Sequence, residues 1–183
     1  VEDLVALMRK YARGDRVGFL SGDVRTERKT AAFYNERIFD GKLASYFVNS
    51  VEEFKEVFIR AQTEVDMLII PSHGGVPGWK DTEMEQFIAD NTRIPTGGVL
   101  GFMSDFLVFT LAKSPFEHGN YAAKMALEVL GGVSPGELPI QKNERNRSTV
   151  NLKMAKAAGI VIPVSTLKEM NTVIGQQTLL QAN

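Results

Sequence analysis

The stretch Met67-Leu-Ile-Ile-Pro-Ser-His-Gly-Gly75 constrains the chain more than any other. Four consecutive apolar residues, bounded by Asp66 and Pro71, read as a short, fully buried strand. The polar Ser72-His73-Gly74-Gly75 then falls where the strand's carboxyl end opens into a loop. In a parallel α/β sheet, loops and helix amino-termini converge on that edge, and ligands bind there.

The rest of the chain repeats this unit. Apolar residues at 1, 4, 5, 8 and 11 form a helical stripe, closed by Gly14. Arg16 to Leu20 reads as a buried strand ending in the polar turn Ser21-Gly22-Asp23. Thr26 to Phe39 is a helix and Ala44 to Val48 a strand. Asn49-Ser50 followed by Glu52-Glu53 starts a helix whose stripe is Val51, Phe54, Val57, Phe58 and Ala61. Asp81 caps a helix over 82–90. Two strands are expected at 98–102 and 107–111, separated by Met103-Ser104-Asp105-Phe106. A periodic helix over 116–130 stops at Gly131-Gly132. Gln141 to Ser148 reads as a linker or exposed hairpin, 151–158 as a short helix, 160–163 as extended and 166–174 as a final helix, with a frayed tail after Gly175. Strands alternating with helices predict an α/β fold, a doubly wound, mostly parallel sheet flanked by helices.

Composition limits function by exclusion. At 183 residues the chain is read as one domain, with 44% apolar and 23% charged residues. A formal net charge of −1 supplies no pull towards nucleic acid. No cysteine is present, which rules out thiolate catalysis, disulfides and thiolate zinc sites. The chain starts at Val1 without an initiator Met, basic leader or apolar signal segment, so it reads as a mature product or a piece of something longer.

Catalytic patterns fail one by one. There is no G-x-S-x-G elbow, and adjacent Ser72 and His73 are badly placed to form a nucleophile–base pair. The only histidines, His73 and His118, lack metal-ligand spacing, so neither a metal nor a cofactor is expected. Neither glycine-rich phosphate motif occurs, and Arg145-Asn-Arg147 reads as a solvated basic cluster. What remains is three polar turns on one sheet edge: Ser21-Gly22-Asp23, Ser72-His73-Gly74 and Phe102-Met103-Ser104-Asp105. Hydroxyls and amides there suit a carboxylate, and an aspartate suits an ammonium, so an amino-acid-like ligand matches the set. Taken singly, the same residue types are also ordinary helix caps.

The carboxyl-terminal third carries a resemblance. Tyr121-Ala-Ala with Leu130-Gly-Gly, Pro135-Gly-Glu-Leu-Pro-Ile140 and Val150-Asn-Leu-Lys-Met-Ala-Lys-Ala-Ala-Gly-Ile-Val-Ile-Pro163 resemble ABC-transporter substrate-binding proteins of the type I periplasmic-binding-protein fold. The similar branch includes tryptophan- and tyrosine-binding members. The resemblance implies that residues 1–183 form the second of two lobes, with 1–140 as the main core and 141–183 as extended segment and helices near a hinge. The first lobe is then missing. It further implies an amino-acid-like, aromatic-tolerant ligand, an ABC permease as partner, and a periplasmic or extracellular location, with a lipoprotein anchor as one form of it. The exposed inter-lobe face also offers a surface for homodimerisation. The chain departs from the family at His73-Gly74, where a polar Asp or Asn is usual, and in the polar segment 142–149. Rival readings are the sensor domain of a signalling receptor and a small flavodoxin-like enzyme.

Overall fold

The structure, a computed structural model, describes residues 1–141 and 144–175. Seven strands form one sheet in the order β2-β1-β3-β4-β5-β6-β7. They are β1 (Val17–Gly22), β2 (Ala44–Val48), β3 (Met67–Ile69), β4 (Thr96–Gly98), β5 (Phe109–Lys113), β6 (Asn146–Asn151) and β7 (Thr172–Ile174). All pairs are parallel except β5 with β6. The expected doubly wound sheet is therefore present.

Helices α1 (Glu2–Arg9), α2 (Arg25–Arg37), α3 (Val51–Glu64) and α4 (Asp81–Asn91) flank β1 to β4, and α5 (Pro115–Leu130), α6 (Leu152–Ala157) and α7 (Val164–Glu169) follow. The register places Phe19, Ile69, Gly97, Phe109 and Val150 in one row across five strands. That row meets α2 and the chain just after α1: Tyr34 packs edge-on to Phe19 and Tyr11 stacks on Phe109. A Cβ on Gly97 would lie 2.7 Å from Met8 Sδ, so glycine lets α1 settle directly on β4. Right-handed crossovers put α3 and α4 on the opposite face, where Phe54, Phe58 and Phe87 pack together. Ser50 caps α3 by accepting from Glu53 N at 3.1 Å, while the Glu53 carboxylate accepts from Asn49 N at 2.7 Å.

The carboxyl-terminal half departs from the periodic reading. The β4 strand lies at Thr96–Gly98, and Gly101–Met103 is a 3₁₀ turn rather than strand. Its small residues hide it, because its neighbours supply the apolar packing. The β5 strand starts two residues later than expected, at Phe109, where pairing with β6 begins. The expected linker at 141–148 is in part a strand: residues 146–148 belong to β6, held to β5 by a ladder no side-chain pattern announces. The expected helix over 166–174 splits into α7 and β7. Asn171 Oδ1 accepts from Ser148 N at 2.8 Å, and this tether to β6 turns the chain. Asp81 opens α4 without capping it; its Oδ1 accepts from Trp79 Nε1 at 3.0 Å. The expected frayed tail lies outside the described residues.

Candidate ligand-binding edge of the sheet

The strand order reverses at β1, since β2 lies on one side of it and β3 on the other. The loops after β1 and β3 therefore diverge from a switch point, the place where a crevice opens in such sheets. Here the two loops touch at their base. A Cβ on Gly22 would stand 2.5 Å from both the carbonyl carbon and oxygen of Gly75, so only glycine lets β1 end this close to the β3 loop. Gly75 itself has φ +85°, in the left-handed region that favours glycine.

Ser21 and Gly22 are the last residues of β1 rather than the expected turn, paired with Phe47 and Val48 of β2, and Ser21 is fully buried with its Oγ making no hydrogen bond among the described residues. Glu27, in the first turn of α2, has its pKa raised, chiefly by burial. Asp23 is held below the usual carboxylate range by the Arg28 guanidinium, whose Nη2 donates to Oδ2 at 2.7 Å. Arg28 also lies 4.5 Å above the Phe47 ring. The Asp23 charge is thus already partnered within the chain.

After β3, Ser72 Oγ accepts from Gly74 N at 2.8 Å, closing a local turn. His73 is the hub of an aromatic cluster. Its ring stacks on Trp79 with centroids 5.0 Å apart and meets Phe102 edge-on at 5.4 Å and Phe106 at 6.0 Å. Phe102 is 54% exposed, whereas Met103 is buried below it. Asn151 Nδ2 donates to the carbonyls of Ser104 and Asp105, both at 3.1 Å, and fixes that turn from the β6–α6 junction. Asp105 is exposed and has no ion-pair partner among the described residues.

The three turns therefore meet, Gly22 against Gly74–Gly75 and His73 against Phe102. Ser21 and Met103 support the edge from beneath, and Ser72 and Asp23 are engaged locally. His73, Phe102 and Asp105 are the side chains presented at the surface. Trp79 and Phe106 complete the cluster and escaped the sequence reading. The signal for Trp79 was its position as the chain's one tryptophan within a glycine-rich loop. A groove of about 560 Å³ opens beside the β4–β5 connection, lined by Tyr34, Val99, Leu100, Leu111 and His118 among others. A second groove, of about 930 Å³, lies at the opposite edge of the sheet. Its Arg16 is paired with Asp66 and its Arg93 donates to the carbonyls of Thr92 and Asp90, so those cations serve the fold. No group of residues suited to hold a metal occurs among the described residues.

This fold defines a class by its architecture alone: a doubly wound α/β sheet whose strand order reverses at β1. Residues 106–174 match the family model described as ABC transporter substrate binding protein, so the carboxyl-terminal part carries that family's sequence pattern. Among solved structures, an ABC domain in complex with L-Trp from Streptococcus pneumonia is 21% identical, with TM-score 0.66 and coverage of 94% of this chain and 60% of that one. A ligand-free, open substrate-binding protein with adhesive properties from Clostridium difficile is 15% identical, with TM-score 0.74 and coverage of 95% and 59%. A conserved domain protein from Vibrio cholerae is 16% identical, with TM-score 0.61 and coverage of 86% and 54%. The chain thus spans less than two thirds of the length of each. A search among curated proteins finds no match. No helix among the described residues is long and apolar enough to cross a membrane.

Proposed function

We propose that the chain is one lobe of a solute-binding protein serving an ABC permease outside the cytoplasmic membrane, and that it supplies one wall of a cleft for a small amino-acid-like ligand. The observation that carries this reading is the His73–Trp79–Phe102–Phe106 cluster at the switch-point edge. Aromatic faces and edges favour a planar apolar group. Asp105, the unpaired carboxylate beside them, suits an ammonium. An aromatic amino acid carries both groups, and the L-Trp bound by the pneumococcal relative is of that class.

Ligand would act by holding the two lobes closed, and a permease would read the closed form. No bond is made or broken in this role. A single wall leaves much of the ligand in water, so binding by residues 1–183 alone should be weak. The test is calorimetry of this chain with L-phenylalanine, L-tyrosine and L-leucine. Weak binding of the aromatic amino acids over L-leucine is the expected result. Micromolar or tighter binding overturns the one-wall account, and no aromatic preference overturns the ligand assignment.

A further inference from the structure

The sheet ends on one side at β2, whose one strand neighbour among the described residues is β1. An edge strand presents unpaired N–H and C=O groups, and proteins usually guard it with a charge, a proline, a bulge or short length. Strand β2 has no such guard. Its sequence is Ala44-Ser-Tyr-Phe-Val48, its register with β1 runs unbroken over five residues, and Ser45 is exposed. The opposite edge, β7, is only three residues long.

One bond tells which groups of β2 are free. Val48 O accepts from Asp23 N at 2.7 Å, so Val48 turns its backbone groups towards β1. That direction alternates along a strand, so Ser45 and Phe47 turn their N–H and C=O outwards. Among the described residues no loop or side chain bonds to them. Helix α3 runs antiparallel to β2 and overhangs this edge. At one end the Glu53 carboxylate accepts from Asn49 N at 2.7 Å, with Glu56 one turn on. At the other, Tyr46 donates to Glu64 Oε2 at 2.8 Å and the Arg60 guanidinium lies 5.9 Å from its ring. The edge is thus acidic at one end and carries an arginine at the other.

We infer that β2 is an interaction surface for a second copy of this chain, the two β2 strands pairing antiparallel about a twofold axis through Tyr46. In that register Ser45 lies opposite the partner's Phe47, and each such pair exchanges two hydrogen bonds, which uses every outward group of both residues. Tyr46 meets the partner's Tyr46 at the closely spaced position, where aromatic pairs stabilise a sheet. The same axis turns Glu53 and Glu56 towards the partner's Arg60. It also sets the exposed Lys42 opposite the partner's Ser50, beside the partner's Glu53. The choice of occupant follows from this self-complementarity in hydrogen bonding and charge. A twofold contact is closed, so assembly stops at a dimer. The pairing is independent of the ligand-binding reading.

Sedimentation velocity over a concentration series should show a monomer–dimer equilibrium. Ser45→Pro deletes an outward N–H that the chain itself does not use, so it should raise the dimer dissociation constant roughly tenfold or more. Lys42→Glu, outside the strand, places like charge beside the partner's Glu53 and should also weaken the dimer, a reading that stands even where proline disturbs β2. The chain has no cysteine, so Tyr46→Cys allows a single intermolecular disulfide. With Cβ atoms about 5 Å apart across the axis, that variant should cross-link to a dimer under oxidation. A chain that stays monomeric throughout the series overturns the inference. So does a dimer that Ser45→Pro and Lys42→Glu leave as tight as the parent's, or one that Tyr46→Cys fails to link.

Discussion

The imidazole of His73 lies nearly parallel to the indole of Trp79, with an interplanar angle of 15° and centroids 5.0 Å apart. Trp79 in turn meets Phe54 edge-on, and Phe54 belongs to the core. The candidate site thus rests on the hydrophobic core through a continuous aromatic contact, and His73 is held without a hydrogen bond to its ring among the described residues. Because Trp79 is the only tryptophan, its emission reports on this one place. Titration with L-phenylalanine should change it. His73→Ala should weaken that response by roughly three- to tenfold, the size of one aromatic contact. An unchanged titration curve would remove His73 from the site.

Gly22 permits the close approach of two loops. Gly22→Ala places a Cβ 2.5 Å from Gly75 backbone atoms, which cannot swing aside as a side chain would. The substitution should cost about 1–3 kcal/mol, as small-to-large changes in packed regions do. Urea unfolding measures it. By contrast, Gly41→Ala meets no neighbouring atom and suffers only from its φ of +80°. That makes it a control for backbone strain alone.

Asn151 serves two segments with one amide. Its Oδ1 caps α6 by accepting from Lys153 N and Met154 N at 3.0 and 3.2 Å, while its Nδ2 holds the Ser104 and Asp105 carbonyls. It is also 2% exposed, so its loss leaves buried groups unpaired. Asn151→Ala should destabilise the chain by about 2 kcal/mol or more, combining a lost cap with stranded carbonyls. It should also speed amide exchange at 103–106. An unfolding midpoint close to that of the parent would show that water replaces these bonds.

Asp66 ties the starts of β1 and β3 by accepting from Arg16 N and from its guanidinium, at 2.9, 3.0 and 3.1 Å. Those hydrogen bonds, led by the guanidinium, lower the Asp66 pKa. A carboxylate depressed in the folded state stabilises it above the unfolded value, and that contribution is lost as pH falls through the folded value. Stability should therefore decline on acidification below the usual aspartate value of about 4. Asp66→Asn should flatten that part of a stability-against-pH curve. An unaltered slope would assign the acid sensitivity to other carboxylates.

The first half of the fold was legible because each element there carries its own periodicity. The stripe Val51, Phe54, Val57, Phe58 and Ala61 is wholly buried in α3, and Met67 to Ile70 is wholly buried, as the apolar run implied. Such patterns are local, and local patterns survive in a linear string. The same holds for the strand-end positions of Ser21, Ser72 and His73, which follow from where the apolar runs stop. The resemblance in the carboxyl-terminal third was equally a property of the string, and Asn151 within it turns out to have a structural task.

What the tertiary structure decided was non-local. Strand β4 is built from Thr96, Gly97 and Gly98, and is a strand because β3 and β5 pair with it. Strand β6 is polar at its start and exists through its ladder to β5. The aromatic cluster unites residues from 73 to 106 that no spacing rule connects. Helix α5 has a strong core-like pattern in the sequence, yet this chain supplies it with almost nothing to pack against. Periodicity says that a face must be covered; only the arrangement of the other elements says whether it is. Met67–Gly75 was readable as a strand and a polar turn, and the fold brought that turn against Gly22, Trp79, Phe102 and Phe106.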